Sequence, residues 1–277
     1  YISGNYYKEQ GTLIDNDKTG YNFRSNLTQK ISDKFKVSAL INGTFTKDNY
    51  NPDATVYDAY LNLPFDSAYN AEGAPRDARY GTWYGRDRDN FLHSLQYNYS
   101  KARSLNLNGD LNLDYKLSKH FSLASYNRAS FFDYRSDAYY DKRPKEGATD
   151  AGAVYNTVSY TNRLLTSNRI KYENRFGRHN ITVLGVSEIE KSYYDVISTY
   201  ATGLPPGRDA LSTATGEKKN ITGGRNESIF SKHLVQADYS FADRYYLVTS
   251  IVNDYSSRFG SNNPSANFYQ LGASWIV

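Results

Sequence analysis

Segment Leu105–Leu117 flips between apolar and polar at every residue. Leu105, Leu107, Leu111, Leu113, Tyr115 and Leu117 share one phase, and Asn106, Asn108, Asp110, Asn112, Asp114 and Lys116 share the other. Successive side chains of a strand point to opposite faces, so this segment has one greasy face and one wet face. It is long for a soluble strand. It suits a tilted strand crossing a bilayer, which needs roughly 9–11 residues in the apolar zone.

The same reading along the chain predicts ten strands. They lie near 1–9, 19–31, 35–45, 105–117, 121–134, 161–176, 180–198, 228–241, 245–256 and 267–277. Tight polar turns at Ser32–Lys34, Leu117–His120, Gly177–His179 and Ala242–Arg244 join alternate pairs. The other connections are longer, roughly 10–18, 49–101, 135–160, 199–227 and 257–266. In an antiparallel sheet all short turns then fall at one end and all long loops at the other. Outer-membrane barrels segregate their connections in this way. A β-sandwich has no reason to do so as strictly. The expected fold is all-β, a segment of a transmembrane antiparallel β-barrel.

Composition adjusts this picture only slightly. No apolar run approaches the length of a membrane-crossing helix. A barrel escapes that test because its lumen-facing residues dilute the average. The 28 Tyr among 277 residues suit strands and interfacial aromatic girdles alike. Cysteine is absent, so there is no disulfide framework and no thiolate metal site. A net charge of +4 leaves no nucleic-acid footprint. The sequence starts and stops inside strand patterns, which reads as a partial barrel domain over 1–277 with both natural termini absent.

Few motifs carry chemistry. Asp15–Gly20 imitates the start of a calcium loop, but Asn26 stands where a bidentate Glu belongs. His93, His120, His179 and His233 lack ligand spacing, and His120 and His179 are expected as solvated turn residues. Asp133, Asp137 and Asp141 recur every four residues, which chance explains. No nucleophile elbow, phosphate loop or dinucleotide fingerprint is present, so no catalytic residue and no cofactor is expected. Loop 49–101 is long enough for structure of its own, with Val56, Tyr60 and Leu63 at helical spacing. It carries Tyr80, Trp83 and Tyr84 beside Arg79, Arg86 and Arg88. Aromatic faces and guanidinium forks can hold a sugar or another polar ligand. The competing reading is loop-on-loop packing.

Residues Tyr239–Trp275 read YSFADRYYLVTSIVNDYSSRFGSNNPSANFYQLGASW. This stretch resembles the SusC/RagA family of TonB-dependent outer-membrane transporters. Tyr239, Ser240, Asp243, Arg244, Tyr245, Asp254, Ser256, Ser257, Arg258, Phe259, Gly260, Asn263, Phe268, Ala273 and Trp275 match the family pattern; Tyr255, Tyr269 and Ser274 depart from it. YISGNYYKEQGTL at the start, LPFDSAYNAEGAP and Asn90–Leu95 resemble further family stretches in the same order. The resemblance implies a central part of a 22-stranded barrel in the bacterial outer membrane. It also implies a plug and a TonB-contacting segment outside this sequence, a SusD-like surface lipoprotein as partner, and import of glycans or peptides. The rival readings are a passive porin-like channel, an outer-membrane protease and a soluble glycan-binding β-protein.

Overall fold

The computed structural model describes residues 1–50, 60–85, 87, 89–217, 219–260 and 262–277. Ten strands form one antiparallel sheet in strict sequence order. They are β1 (Ile2–Gln10), β2 (Asp17–Lys30), β3 (Phe35–Tyr50), β4 (Tyr99–Lys116), β5 (Phe121–Tyr140), β6 (Ala153–Phe176), β7 (His179–Thr202), β8 (Lys219–Phe241), β9 (Tyr245–Ser256) and β10 (Ser265–Trp275). The expected number of strands and the segregation of turns from loops are both present. No described helix is long and apolar enough to cross a membrane.

The strands outrun their alternating patterns, always toward the loops. β4 begins at Tyr99 rather than Leu105, β6 at Ala153 and β8 at Lys219. In these extensions polar residues enter both faces, so alternation fades while backbone pairing continues.

The register sorts side chains into two faces. Leu111 lies opposite Ala39 and Asn127, while Asp110 lies opposite Leu40 and Arg128. On the apolar face, an aromatic belt runs beside the turns. Phe35 meets Tyr115 at 6.1 Å between ring centroids, Phe121 meets Tyr172 at 4.7 Å, and His179 meets Phe241 at 4.8 Å. Tyr245 then stacks on Trp275 at 6.2 Å. His179, expected as a solvated turn residue, instead opens β7 inside this belt and shares a hydrogen bond of 2.7 Å with the Tyr239 hydroxyl. Climbing from the belt, the first charge on this face is Lys47 on β3, Arg103 on β4, Asp133 on β5 and Lys191 on β7. The charge-free band thus spans roughly 11 residues on these strands, the length a bilayer demands of a tilted strand.

One polar island interrupts that band. The Asn127 amide donates to Ser125 Oγ (3.0 Å) and to the Leu111 carbonyl (3.3 Å), and accepts from the Thr166 hydroxyl (2.8 Å). Its hydrogen-bonding groups are satisfied within the wall, as an apolar surrounding requires.

Candidate functional site

Three connections gather at the loop end of the sheet, and they bury polar and apolar groups together. Segment 60–98 ends in α1 (Phe91–Ser94), capped by Asn90, whose amide also donates to the carbonyls of Ala68 and Arg76 at 2.8 Å each. Segment 141–152 contains α2 (Lys145–Ala148). Segment 203–217 lays Leu204 and Ala214 over Tyr139, Val154 and Ala201.

Asp141 ties all three together. Its side chain is 0 % exposed. One carboxylate oxygen accepts from the Arg143 backbone and guanidinium (2.9 and 2.8 Å), the other from Tyr139 (2.9 Å), Arg143 (2.7 Å) and the Gly207 backbone (2.8 Å). Its own N–H donates to Asn98 Oδ1 at 2.8 Å. Burial alone would push this carboxyl up; the hydrogen bonds from Arg143 and Gly207 overcome that and hold it well below the usual carboxylate range. Burial, and then the bond to Asp141, pushes the Tyr139 hydroxyl up to about 12. The sequence spacing of Asp133, Asp137 and Asp141 gives no sign of this role. That role depends on contacts far apart in sequence, which no local pattern records.

The aromatic and arginine cluster divides. Trp83 is only 5 % exposed and lies with the Arg76 guanidinium 5.8 Å from its ring centroid. It packs inside the loop rather than presenting its face. Tyr80 and Tyr84 are 71 % and 63 % exposed. Tyr84 meets Phe65 edge-on at 5.4 Å, and Asp66 fixes the backbone there by accepting from the N–H groups of Tyr84 and Gly85 at 2.8 and 2.7 Å. Arg79 binds Asp77 through two donors (2.9 and 2.5 Å), donates to the Arg143 carbonyl and lies 5.5 Å from the Tyr80 ring centroid. Arg86 and Arg88 lie outside the described residues, as does Val56 of the expected helix. With Tyr60, Phe65 and Tyr69 also exposed, the loop offers an aromatic surface stiffened from beneath.

The calcium-like stretch resolves differently. Asp17–Gly20 opens β2, and Asp17 accepts from the Asn49 amide at 2.9 Å across the sheet. These residues are spent on strand pairing. No group of three or more metal-ligating side chains gathers among the described residues.

No protein-family model matches the chain. Two curated proteins of Formosa agariphila are similar to it along its length. TonB-dependent receptor P26 is 23% identical over 100% of the chain, and TonB-dependent receptor P3 is 22% identical over 99%. The chain spans 28% of the length of each. Among solved structures, the RagAB peptide transporter superposes on 99% of the chain with a TM-score of 0.81 at 20% identity, the chain covering 32% of it. The ferric preacinetobactin receptor BauA of Acinetobacter baumannii superposes on 98% with a TM-score of 0.55 at 10% identity, the chain covering 39% of it. The fold is that of a TonB-dependent receptor barrel of the SusC/RagA type. Its place is the bacterial outer membrane. In a barrel wall of this kind the apolar face with its belt suits lipid, and the charged face suits the lumen. The curated relatives are named receptors, and their names carry no enzymatic activity.

Proposed function

We propose that this segment is wall and mouth of an outer-membrane TonB-dependent transporter that imports glycans or peptides. In this reading residues 1–277 are one partial barrel domain, about ten strands of a larger, 22-stranded barrel. Plug and TonB contact belong to sequence outside it. The protein is no enzyme and needs no cofactor. Its partners are a SusD-like surface lipoprotein, TonB and outer-membrane lipid, and nucleic acid is not among them.

The observation that carries this reading is the exposed aromatic surface of segment 60–84, mounted on a polar scaffold at the loop end of a receptor-type barrel. Binding surfaces sit preferentially on loops held by a rigid frame. Tyr80 and Tyr84, with Arg79, Arg86 and Arg88 nearby in sequence, are the residues expected to touch substrate or partner. Trp83 acts beneath them by holding the loop's shape. Alanine at Tyr80 and Tyr84 in the full-length protein should weaken uptake or partner binding and leave barrel assembly intact. Wild-type uptake and wild-type partner binding together would reduce the surface to packing and sink the proposal. A passive channel would instead pass cargo without an energised inner membrane, so uptake in de-energised cells separates the two.

A further inference from the structure

The lumen wall changes character toward the turns. Higher up, Arg128 holds Asp110 through two donors (2.6 and 3.0 Å), Arg163 lies 3.4 Å from Glu190, and Lys18 lies 3.5 Å from Asp48. Toward the turns a hollow of about 570 Å³ is lined by six cations, Lys30, Lys34, Lys36, Lys116, Arg169 and Lys171. Its lining carboxylates are Asp33 and Asp114.

The register explains the gathering. Lys36 lies opposite Lys30 and Asp114, Lys116 lies opposite Ser122, and Ser122 lies opposite Lys171. Asp114 lies opposite Ala124, which lies opposite Arg169. The short side chains of Ser122 and Ala124 leave the hollow between the long cationic ones. Ser32 fixes the turn beneath Lys34 by accepting from the backbone N–H groups of Lys34 and Phe35 at 3.2 and 3.1 Å.

The local charges do not cancel. Lys30 binds Asp33 at 2.6 Å, Lys36 stands 4.0 Å from Asp114, and Lys171 pairs with Glu173. Among the described residues, no carboxylate comes within ion-pair distance of Lys34, Lys116 or Arg169. The Arg169 guanidinium lies 4.7 Å from the Tyr126 ring centroid, which restrains the plane of its fork. A lone surface lysine is merely solvated. Several cations around one concavity with low-dielectric walls repel each other and focus a positive potential into it.

We propose that this hollow is an anion-binding station on the inner wall, taking an oxyanion group, carboxylate or sulfate, carried by the cargo near the turn-side end of its path. The proposal rests on the transport reading above. Lys34 and Lys116 supply charge, and Arg169 supplies a planar pair of donors suited to an oxyanion. An acidic glycan and an acidic peptide present the same chemistry.

The test uses the full-length protein in detergent micelles and a variant carrying Lys34→Gln, Lys116→Gln and Arg169→Gln. Binding of tetraglutamate is compared with tetraglutamine, and of tetragalacturonate with a neutral galactose tetrasaccharide, at low and high salt. At least one acidic probe should bind about tenfold tighter than its neutral counterpart, in a salt-sensitive manner, and the variant should lose that preference. The preferred pair tells peptide from glycan. Absence of any acidic preference in the wild type, or its survival in the variant, overturns the proposal. Loss of thermal stability in the variant without an acidic preference in the wild type would mean that an acidic polypeptide stretch inside the barrel fills the hollow, and would also overturn it. If the preference behaves as expected while cells show no energy-dependent uptake, the station stands and the transport reading alone fails.

Discussion

The turn half and the loop half of this wall are held together by opposite chemistry. Near the turns, Leu107, Leu111, Ile170 and Val235 stand exposed on a face meant for lipid, and the aromatic belt marks its lower edge. Few side chains there are buried within the segment, and stability comes from the backbone ladder and from the solvent it was built for. Near the loops, Asp141, Asn90, Ser94 and Asn98 are buried and hydrogen-bonded. That half carries its own core, made of groups that gave up water for one another. The lesson is that one continuous sheet can cross from lipid to water by exchanging what its side chains need while keeping the same ladder.

The comparison predicts first that the lipid half cannot stand alone. β1 pairs only with β2 and β10 only with β9, leaving two free edges among the described residues. An open edge in lipid strands several kcal/mol of backbone hydrogen bonding. Residues 1–277 expressed in isolation should therefore aggregate rather than form a soluble monomer; a cooperative thermal transition from such a monomer would break the comparison. Within the whole barrel, Leu111→Arg should cost about 2–4 kcal/mol in unfolding measured in bilayers, as charges do near the midplane of a barrel's lipid face. Asn112→Arg, one residue on and facing the lumen, should cost close to nothing. Equal costs would mean the two faces are misassigned.

The loop half should respond to a different lesion. Asp141→Ala leaves the Tyr139 hydroxyl and Arg143 without their carboxylate acceptor, and leaves the Gly207 N–H with only its longer bond of 3.1 Å to the Tyr139 hydroxyl oxygen. Arg143 can turn to water, so the expected local cost is about 1–3 kcal/mol. Limited proteolysis should then cut segments 141–152 and 203–217 faster, with barrel heat resistance unchanged. The pH dependence follows from the depressed Asp141 carboxyl. Its contribution is complete above the ordinary carboxylate range and is lost only as pH falls through the lower, folded value. Wild-type loops should resist protease equally at pH 7 and pH 4, and loosening between those values would show that another group controls them.

What the sequence reveals follows the same division. Alternation from Leu105 to Leu117 identified β4, its faces and its turn, because lipid on one side and water on the other imposes a period of two. The segment Tyr99–Ser104 was invisible, since water or polar loops meet both of its faces. The cluster in loop 49–101 was legible as composition, but composition does not tell the buried ring of Trp83 from the exposed rings of Tyr80 and Tyr84. The local bonds from Tyr139 and Arg143 do not mark Asp141 as a tie between segments, because that role comes from Asn98 and Gly207, 43 and 66 positions away. The basic hollow was equally hidden, because it exists only once the register brings Lys36 on β3, Lys116 on β4 and Lys171 on β6 to one level of the wall.

The smallest expected effect lies in the turn half, at its tightest corner. Phe241 and Arg244 close a turn through a backbone hydrogen bond of 3.1 Å, with Ala242 and Asp243 both left-handed at φ 56 and 54. Two left-handed central residues make the turn whose twist matches a hairpin, and Asn-Gly or Asp-Gly usually fills it. The chain places neither pair there. A side chain in this conformation costs about 1 kcal/mol relative to glycine, offset in part by glycine's greater freedom when unfolded. Asp243 approaches Arg175 at 3.6 Å and its carbonyl accepts from the Tyr246 hydroxyl, so its side chain is better left in place. Ala242→Gly is the cleaner change. It should stabilise the β8–β9 hairpin by a few tenths of a kcal/mol up to about 1 kcal/mol and slow unfolding of the full barrel in urea. The loop half should feel nothing, and protease cleavage of segments 141–152 and 203–217 should keep its wild-type rate. A change in loop cleavage would mean that strain at the turns reaches the mouth along the strands, and the two halves would then be one mechanical unit.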